Sequence, residues 1–338
     1  MKAIVQDRYG SAEVLELRNI DSPKIGEREV LIRVRAAGVN IADWAIMGGL
    51  PYIARPAPLY GLRTPSNGVR GTDVAGEIEA VGPGVTRFRA GDAVFGSCKG
   101  AFAEYAVASD DKLALKPTNL TFEQAACVPL AGLVALQALR DHGKVRAGQK
   151  VLINGASGGI GTFAVQIAKA LGANVTGVCS TQNVDLVRSI GADHVVDYTR
   201  EDFTEGDHRY DFILDNVSNR SLSDLRRALT PTGMLVPNGG RFDHRWFSSA
   251  GRLISAAVIF RFVSQRLGTF LVSYRHEDLI ALKEMIEAGK ITPVIGSTYP
   301  LSETRQAMDL VGRGHARGKV AIAVAPVITQ QADLAVAS

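Results

Sequence analysis

Cysteine is scarce in this 338-residue chain, and the three cysteines present, Cys98, Cys127 and Cys179, are widely separated. None of them form a Cys-x-x-Cys pair, so the sequence predicts neither a disulfide framework nor a zinc site made of cysteines. Long apolar runs are missing as well. The longest, Leu253 to Phe260, is far shorter than the ~20 residues that span a bilayer. The opening MKAIVQDRYG soon becomes polar, unlike a secretory signal, so we expect a cytoplasmic protein.

An excess of charge of one sign is also absent. Lysine and arginine total 38 against 34 acidic residues, which gives a net charge of +4. Hydrophobic residues make up 46% of the chain and charged residues 21%, ordinary values for a folded protein with a large core. This composition excludes a disordered chain, and without a basic stripe we expect no nucleic acid partner. At roughly one domain per 150 residues, the length predicts two domains.

Two sequence patterns follow one another along the chain. In EVLIRVRAAGVN, alternating Val30, Ile32 and Val34 predict a strand, and the glycines of residues 71–96 predict short strands with tight turns. The segment TFEQAACVPLAGLVALQALRDHG opens with a capping-box pattern at Thr121 and is predicted to continue as an apolar helical stretch. From Lys150 onwards, strand-like runs alternate with amphipathic helices. This alternation predicts an α/β fold with a doubly wound parallel sheet covered by helices on both faces.

The later part of the chain is less regular. Residues 241–267 mix arginines with apolar residues, which is typical either of a packed helix or cap over a cleft, or of an amphipathic segment on a membrane surface. After it we predict a strand in TFLVSY (269–274), a helix in EDLIALKEMIEAGK and a closing strand in KVAIAV. The residues after Pro326 are predicted to form a loose tail.

The glycine-rich motif VLINGASGGIG, residues 151–161, carries the strongest functional prediction. A strand before it, an amphipathic helix after it and a second strand beyond are typical of a dinucleotide-binding turn. The glycines allow a pyrophosphate to approach the backbone, and the helix N-terminus attracts the anion. The alternative is a glycine-rich turn without a ligand. The predicted cofactor-binding residues here are Ala156, Ser157, Gly158, Gly159, Ile160 and Gly161.

The end of the second strand indicates which cofactor binds. Sites that prefer NAD usually place a carboxylate there to accept a hydrogen bond from the ribose 2′-hydroxyl. In this chain the strand NVTGVC leads into Ser180 and Thr181, whose hydroxyls could donate to a 2′-phosphate without repulsion. Arg188 and Tyr198 are further candidates, with a solvated helix charge and an ordinary strand aromatic as their alternatives. The sequence therefore predicts NADP(H).

Two further strand ends are expected beside the bound nicotinamide. Doubly wound sheets bind ligands at the carboxyl ends of their strands. Asn216 and Val217 follow the predicted fourth strand, and Gly239 and Gly240 follow the fifth. We expect their backbone groups to contact the ribose and carboxamide.

Taken together, the motifs resemble the medium-chain dehydrogenase/reductase superfamily, specifically its zinc-lacking quinone oxidoreductase branch. The resemblance extends over nearly the whole chain, through AAGVNIADW, GTDVAGEIEAVGPGV, GDAVFG, FAEY, NGASGGIG, GADHVVDY and GHARGKVAI. It implies a GroES-like catalytic domain built from residues 1–125 and 273–338, with a Rossmann NADP-binding domain, residues 126–272, inserted between them. It also implies a cleft between the domains and a homodimer.

The resemblance also bears on metal binding. In zinc-dependent relatives, the residue that matches Asn40 is a cysteine, and a His-Glu pair matches Thr72 and Asp73. A second cysteine lies near the position that matches Leu130. A catalytic zinc needs three protein ligands, usually histidine, cysteine or carboxylate. Because these positions do not supply that set, we predict no metal.

The catalytic residues implied by the resemblance are Asn40, Asp43 and Tyr52. Asn40 and Asp43 would line the cleft and orient the acceptor, and Tyr52 would stack on it or donate a hydrogen bond. Lys319 would lie near the cofactor phosphates. The alternatives are a pair of turn residues, a packed loop aromatic and a solvated lysine at a strand start.

The sequence therefore predicts a zinc-independent, NADPH-dependent oxidoreductase that passes hydride to a small carbonyl, enone or quinone. One alternative is an alcohol dehydrogenase. Another is an NADPH-binding adaptor with little turnover, whose basic, apolar segment 241–267 would contact a membrane or a partner.

Overall fold

The computed structural model describes residues 1–57, 60–66, 68–239, 250–314 and 316–324. The predicted cofactor residue Gly240, the first part of the segment 241–267 and the predicted tail after Pro326 lie outside this part. The strands are β1 (Lys2–Val5), β2 (Glu16–Asn19), β3 (Glu29–Val39), β4 (Asp73–Val81), β5 (Ala93–Ser97), β6 (Tyr105–Ser109), β7 (Leu113–Leu115), β8 (Lys150–Asn154), β9 (Asn174–Cys179), β10 (His194–Asp197), β11 (Tyr210–Asp215), β12 (Leu229–Pro237), β13 (Arg266–Leu267), β14 (Ile295–Pro300) and β15 (Lys319–Ala323). The helices are α1 (Ile41–Gly48), α2 (Phe122–Ala126), α3 (Pro129–Leu136), α4 (Gly159–Ala170), α5 (Val184–Ser189), α6 (Leu222–Ala228), α7 (Ala250–Phe260), α8 (His276–Glu287) and α9 (Thr304–Gly312).

The predicted parallel sheet is confirmed. Its six strands lie in the order β10-β9-β8-β11-β12-β13, and every neighbouring pair is parallel. Val151 and Ile153 of β8 pack with α3, α4 and α8, while Leu152 packs on the opposite face with α6 and α7. Helices cover both faces, which explains why the strands are apolar throughout. The order reverses between β8 and β11, so a crevice is expected there.

A mostly antiparallel sheet holds the two ends of the chain together. Its order is β14-β15-β3-β4-β5-β7, with β6 also paired to β3. The alternating Val30, Ile32 and Val34 of β3 are buried, as their spacing predicts. Strand β15 runs antiparallel to β3 and places Val320 opposite Val39. This pairing brings the C-terminal strand to the start of α1.

The apolar helical stretch predicted after Thr121 consists of more than one helix. The capping box at Thr121 forms, but α2 ends at Ala126 and α3 begins at Pro129. Proline has no N–H to donate, and its ring clashes with the preceding helical turn, so it starts a helix more readily than it continues one. A π-helical turn, Gln137–His142, then follows α3.

The strand predicted in TFLVSY is wrong. Residues 269–274 form no strand and pair with none among the described residues, and the sixth strand of the parallel sheet is the earlier β13. Instead, the side chain of Gln137 donates to the carbonyl of Ser273 at 2.7 Å, and Lys112 donates to that of Tyr274 at 3.0 Å. These side chains satisfy backbone carbonyls that a neighbouring strand would otherwise pair, so the apolar run does not join a sheet.

Helix α7 belongs to the segment 241–267. Ala256 and Phe260 are buried against the parallel sheet, whereas Val258 and Phe262 are exposed. In the described part of the segment, this arrangement matches the first alternative, a packed helix. None of the described helices combines the length and apolar character needed to cross a bilayer.

Candidate functional site

The glycine-rich turn joins β8 to α4, as the motif predicts. Gly155 has a φ of +78°, which glycine adopts without strain. A Cβ on Gly161 would lie 2.1 Å from the carbonyl oxygen of Gly155, so a side chain there would displace the turn. The first residues of α4 line the adjacent cleft, where helical N–H groups and the helix dipole favour an anion.

That cleft has a volume of about 630 Å³ and extends from the glycine turn to the start of α1. The volume lies within the range of small-ligand pockets. The structure brings most of the predicted site residues together around it. Those lining the cleft are Asn40, Ser157, Gly158, Gly159, Ile160, Gly161, Ser180, Tyr198, Asn216, Val217 and Lys319.

Other predicted residues do not line this cleft. Ala156 is fully buried beneath the turn, and its N–H donates to the carbonyl of Val178 at 2.9 Å. Gly239 packs against Asn216, where a Cβ would lie 2.4 Å from the backbone carbonyl carbon. Arg188 is exposed on α5. Direct contact of these residues with a cofactor stays a prediction.

The end of β9 holds one hydroxyl in the cleft and another outside it. Ser180 lines the cleft, and its Oγ accepts a hydrogen bond from Asn183 at 3.1 Å. Thr181 instead donates to the carboxylate of Asp197 at 2.6 Å, which lowers the pKa of that carboxyl. Sequence reasoning missed Asp197, although the pairing of β10 with β9 sets it opposite Cys179. Ser180 is therefore the better placed of the two predicted hydroxyls.

Amide side chains cluster at the carboxyl ends of the central strands. Asn154 donates to Asp215 at 2.9 Å and to Asn219 at 3.0 Å, and Asn216 donates to the carbonyl of Asn154 at 3.1 Å. Asn154 and Asn219 line the cleft but were missed from the sequence. For Asn154, the available signal was a polar residue at the end of the apolar strand β8. These contacts hold the strand ends rigid at the crevice.

Asn40 and Lys319 meet on the side of the cleft formed by β15 and the start of α1, beside the glycine turn. Lys319 is 3% exposed, so the alternative of a solvated lysine is wrong. Its ammonium donates to the carbonyl of Val39 at 3.1 Å and to Oδ1 of Asn40. Asn40 Nδ2 in turn donates to Asp73 at 3.0 Å, and the N–H of Leu130 donates to the same carboxylate oxygen at 3.1 Å. Asn40, Asp73 and Leu130, which the resemblance aligns with or near zinc ligands of relatives, thus lie together here.

Asp43 is buried just behind Asn40. Its carboxylate accepts a hydrogen bond from the backbone N–H of Asn40 at 2.9 Å, as in the alternative of a turn-stabilising pair. Asp43 does not itself line the cleft. Burial, and then the nearby charge of Asp73, raises its pKa to about 7, although the Asn40 N–H and the charges of Lys319 and Arg70 oppose this. At neutral pH, Asp43 is partly protonated.

This raised pKa predicts a pH-dependent stability. The folded state holds the Asp43 proton more tightly than the unfolded state does, so unfolding becomes easier as pH rises from about 4 to about 7. We expect the Asp43→Asn variant, which keeps an oxygen to accept from Asn40, to lose this part of the pH dependence. Over that interval, its free energy of unfolding should rise relative to wild type by a few kcal/mol. Urea unfolding at several pH values measures this, and parallel curves for the two proteins would contradict it.

Tyr52 packs beside Arg55 in the loop after α1. The guanidinium of Arg55 lies 4.2 Å from the centre of the Tyr52 ring and 4.4 Å from that of Tyr9. Tyr52 does not line the cleft. It fits the alternative of a packed loop aromatic, and its contact with an acceptor stays a prediction.

Among the residues that the structure describes, no group of three or more His, Cys, Asp or Glu side chains is arranged to hold a metal ion. The three cysteines are free and buried.

Two family models match the chain. The alcohol dehydrogenase GroES-like domain matches residues 26–118, and the zinc-binding dehydrogenase model matches residues 190–322. The mitochondrial NAD(P)H oxidoreductase RTN4IP1 of Mus musculus is 36% identical, and the match covers 96% of this chain and 89% of that protein.

Solved structures show the same architecture. The quinone oxidoreductase from Coxiella burnetii has a TM-score of 0.82 and 30% identity, with 96% of this chain and 99% of that chain covered. The Escherichia coli quinone oxidoreductase complexed with NADPH has a TM-score of 0.82 and 25% identity, with 96% and 100% covered. The similarity therefore extends over both sheets.

Proposed function

This chain belongs to the zinc-free, quinone oxidoreductase-like branch of the medium-chain dehydrogenase/reductase superfamily, and we propose that it transfers hydride from NADPH to a quinone or an α,β-unsaturated carbonyl without a catalytic metal. Membership makes the chain an oxidoreductase of a nicotinamide nucleotide-dependent family. One observation carries the proposal. The glycine turn and the Asn40–Lys319 pair line the same cleft, so an anion site and a polar reaction site share one cavity.

The cleft residues fit a dinucleotide. The turn around Gly158 and the first residues of α4 would hold the pyrophosphate. Asn154 and Asn216, fixed at the strand ends, would hold the nicotinamide half. When bound, the reduced nicotinamide supplies the hydride, and the protein supplies position and a polar environment for the acceptor.

The charge of the cleft supports NADPH over NADH. No described residue lining it is aspartate or glutamate, so nothing there would repel a 2′-phosphate. At the end of β9 the cleft offers Ser180, Gln182 and Asn183, which are neutral side chains able to donate hydrogen bonds. Asp197 lies nearby, but its carboxylate is engaged by Thr181 and Thr199.

The choice of acceptor rests on the relatives and on the apolar part of the cleft wall. The solved relatives named above are quinone oxidoreductases. Val39, Ile41, Leu130 and Val311 give the cleft an apolar surface suited to a flat, conjugated molecule. Quinones and enones accept hydride at an electron-poor carbon, and the negative charge then develops on oxygen.

Steady-state kinetics with purified protein test this proposal. We expect kcat/KM to be at least about tenfold higher with NADPH than with NADH, because each neutral donor near the 2′-phosphate contributes about 1 kcal/mol or more. The panel is a benzoquinone, an enone and a simple aldehyde, each with both cofactors. Equal rates with NADH and NADPH would contradict the cofactor choice. Turnover confined to the aldehyde, with stoichiometric zinc, would instead support the alcohol dehydrogenase alternative.

A further inference from the structure

Lys319 is a charged residue whose side chain is buried beside the glycine turn. It is buried, and its stem passes the glycine turn, since a Cβ on Gly159 would lie 2.9 Å from its Cδ. Its ammonium lies before the start of α1, where the carbonyl of Val39 and the side chain of Asn40 accept hydrogen bonds. Burying a charge without partners is costly, so these two contacts and the nearby carboxylate of Asp73 account for its position.

The contacts on Asn40 fix the orientation of its amide. Lysine can only donate, and Lys319 donates to Oδ1. The Asp73 carboxylate accepts, and it takes a hydrogen from Nδ2 at 3.0 Å. If the amide oxygen and nitrogen were exchanged, the NH2 group would face the Lys319 ammonium, so two donors would meet. The amide oxygen would face the Asp73 carboxylate, so two acceptors would meet. The amide therefore has one orientation.

This orientation leaves one N–H of Asn40 for a ligand. An amide nitrogen carries two hydrogens, and Asp73 takes one. Among the described residues, no second acceptor lies within hydrogen-bonding distance of Nδ2, and Asn40 lines the cleft. The remaining N–H is thus available to an oxygen bound there.

We propose that Lys319, Asn40 and Asp73 form a relay in which Asn40 donates its free N–H to the acceptor oxygen, while Lys319 polarises and Asp73 anchors the amide. This inference rests on the proposed function. Hydride brings two electrons to a conjugated carbon of the acceptor, and a π-electron pair moves onto the oxygen. The Asn40 N–H stabilises that oxyanion, and a proton from water then neutralises it. Asn40 is the catalytic residue, whereas Lys319 and Asp73 are positioning residues.

The location of the positive charge supports the relay. A fixed cation in a buried site acts more strongly on a developing negative charge than it would in water. Lys319 donates to Asn40, and Asn40 donates in turn to Asp73. The chain of contacts thus places a buried positive charge next to the amide that would face the acceptor oxygen.

A cofactor-free test uses 4-nitrophenol, whose phenolate mimics the oxyanion. With excess wild-type protein, we expect the phenol to ionise about one pH unit lower than in buffer, as its absorbance shows. That shift should vanish in Lys319→Met and persist in Lys319→Arg. Lys112→Met is the matched control, because it removes a lysine-to-carbonyl hydrogen bond outside the cleft. An unshifted wild-type titration, or a shift that survives in Lys319→Met, would overturn the relay.

Kinetics separate the relay from a phosphate contact. In Lys319→Met we expect kcat to fall by about 10- to 100-fold, with the dissociation constant of NADPH changed less than about threefold. Weakened NADPH binding with unchanged kcat would overturn the relay and assign Lys319 to the phosphates. Melting curves establish that each variant is folded. A wild-type protein that shifts nitrophenol but turns over no acceptor would refute the proposed function and not the oxyanion site.

Discussion

Replacing Gly161 with alanine should reduce dinucleotide affinity by about 100-fold and lower stability by about 2 to 3 kcal/mol. The added Cβ would lie 2.1 Å from the carbonyl oxygen of Gly155 and 2.8 Å from backbone atoms of Ala156. Backbone cannot move aside as a flexible side chain can, so the turn must shift relative to α4. Titration of NADPH fluorescence and thermal melting measure the two effects.

Gly158 offers a matched control within the same turn. A Cβ there would lie 3.4 Å from the Gly155 oxygen, an ordinary contact, and its φ of −81° suits any residue. Gly158→Ala should therefore melt like wild type, although its methyl group would enter the cleft. If Gly161→Ala also melts like wild type and binds NADPH equally well, the turn does not hold the cofactor as we describe.

Replacing Ser180 with aspartate should reverse the cofactor preference. The carboxylate would face the 2′-phosphate at the end of β9, and like charges about 5 Å apart repel by roughly 3 kcal/mol at an effective dielectric constant of 20. The same carboxylate could accept a hydrogen bond from the 2′-hydroxyl of NADH. We expect the ratio of kcat/KM for NADPH to that for NADH to fall by about 100-fold or more.

Ser180→Asn is the control for this charge, since it adds similar volume and remains neutral. It should change the ratio by only a few fold. If the aspartate and asparagine variants behave alike, the repulsion is not felt, and Ser180 does not face the 2′ position.

Local patterns in the sequence were sufficient for the parallel sheet and its glycine turn. The buried face of α4, with Phe163, Ala164 and Ile167, follows from helical spacing alone. The turn between β8 and α4 follows from glycines placed between a strand and a helix. Both features depend on neighbours in the chain, which is why they could be predicted.

Features that depend on distant residues were not visible in the same way. Lys319 reaches Asn40 because β15 pairs with β3, a contact between residues 279 apart in sequence. The hydroxyl of Thr181 donates to Asp197 because β10 lies beside β9. Neither contact leaves a periodic signal, so the sequence did not predict the partner of either side chain.

The most direct test of the central claim is a single turnover on metal-stripped protein. Chelated and extensively dialysed enzyme is mixed with one equivalent of NADPH and an excess of quinone or enone, and absorbance of the reduced nicotinamide is followed in a stopped-flow instrument. Our account predicts complete oxidation of NADPH at the same rate as in the untreated enzyme, and a zinc content near zero. A rate that collapses on chelation and returns with added zinc would contradict it.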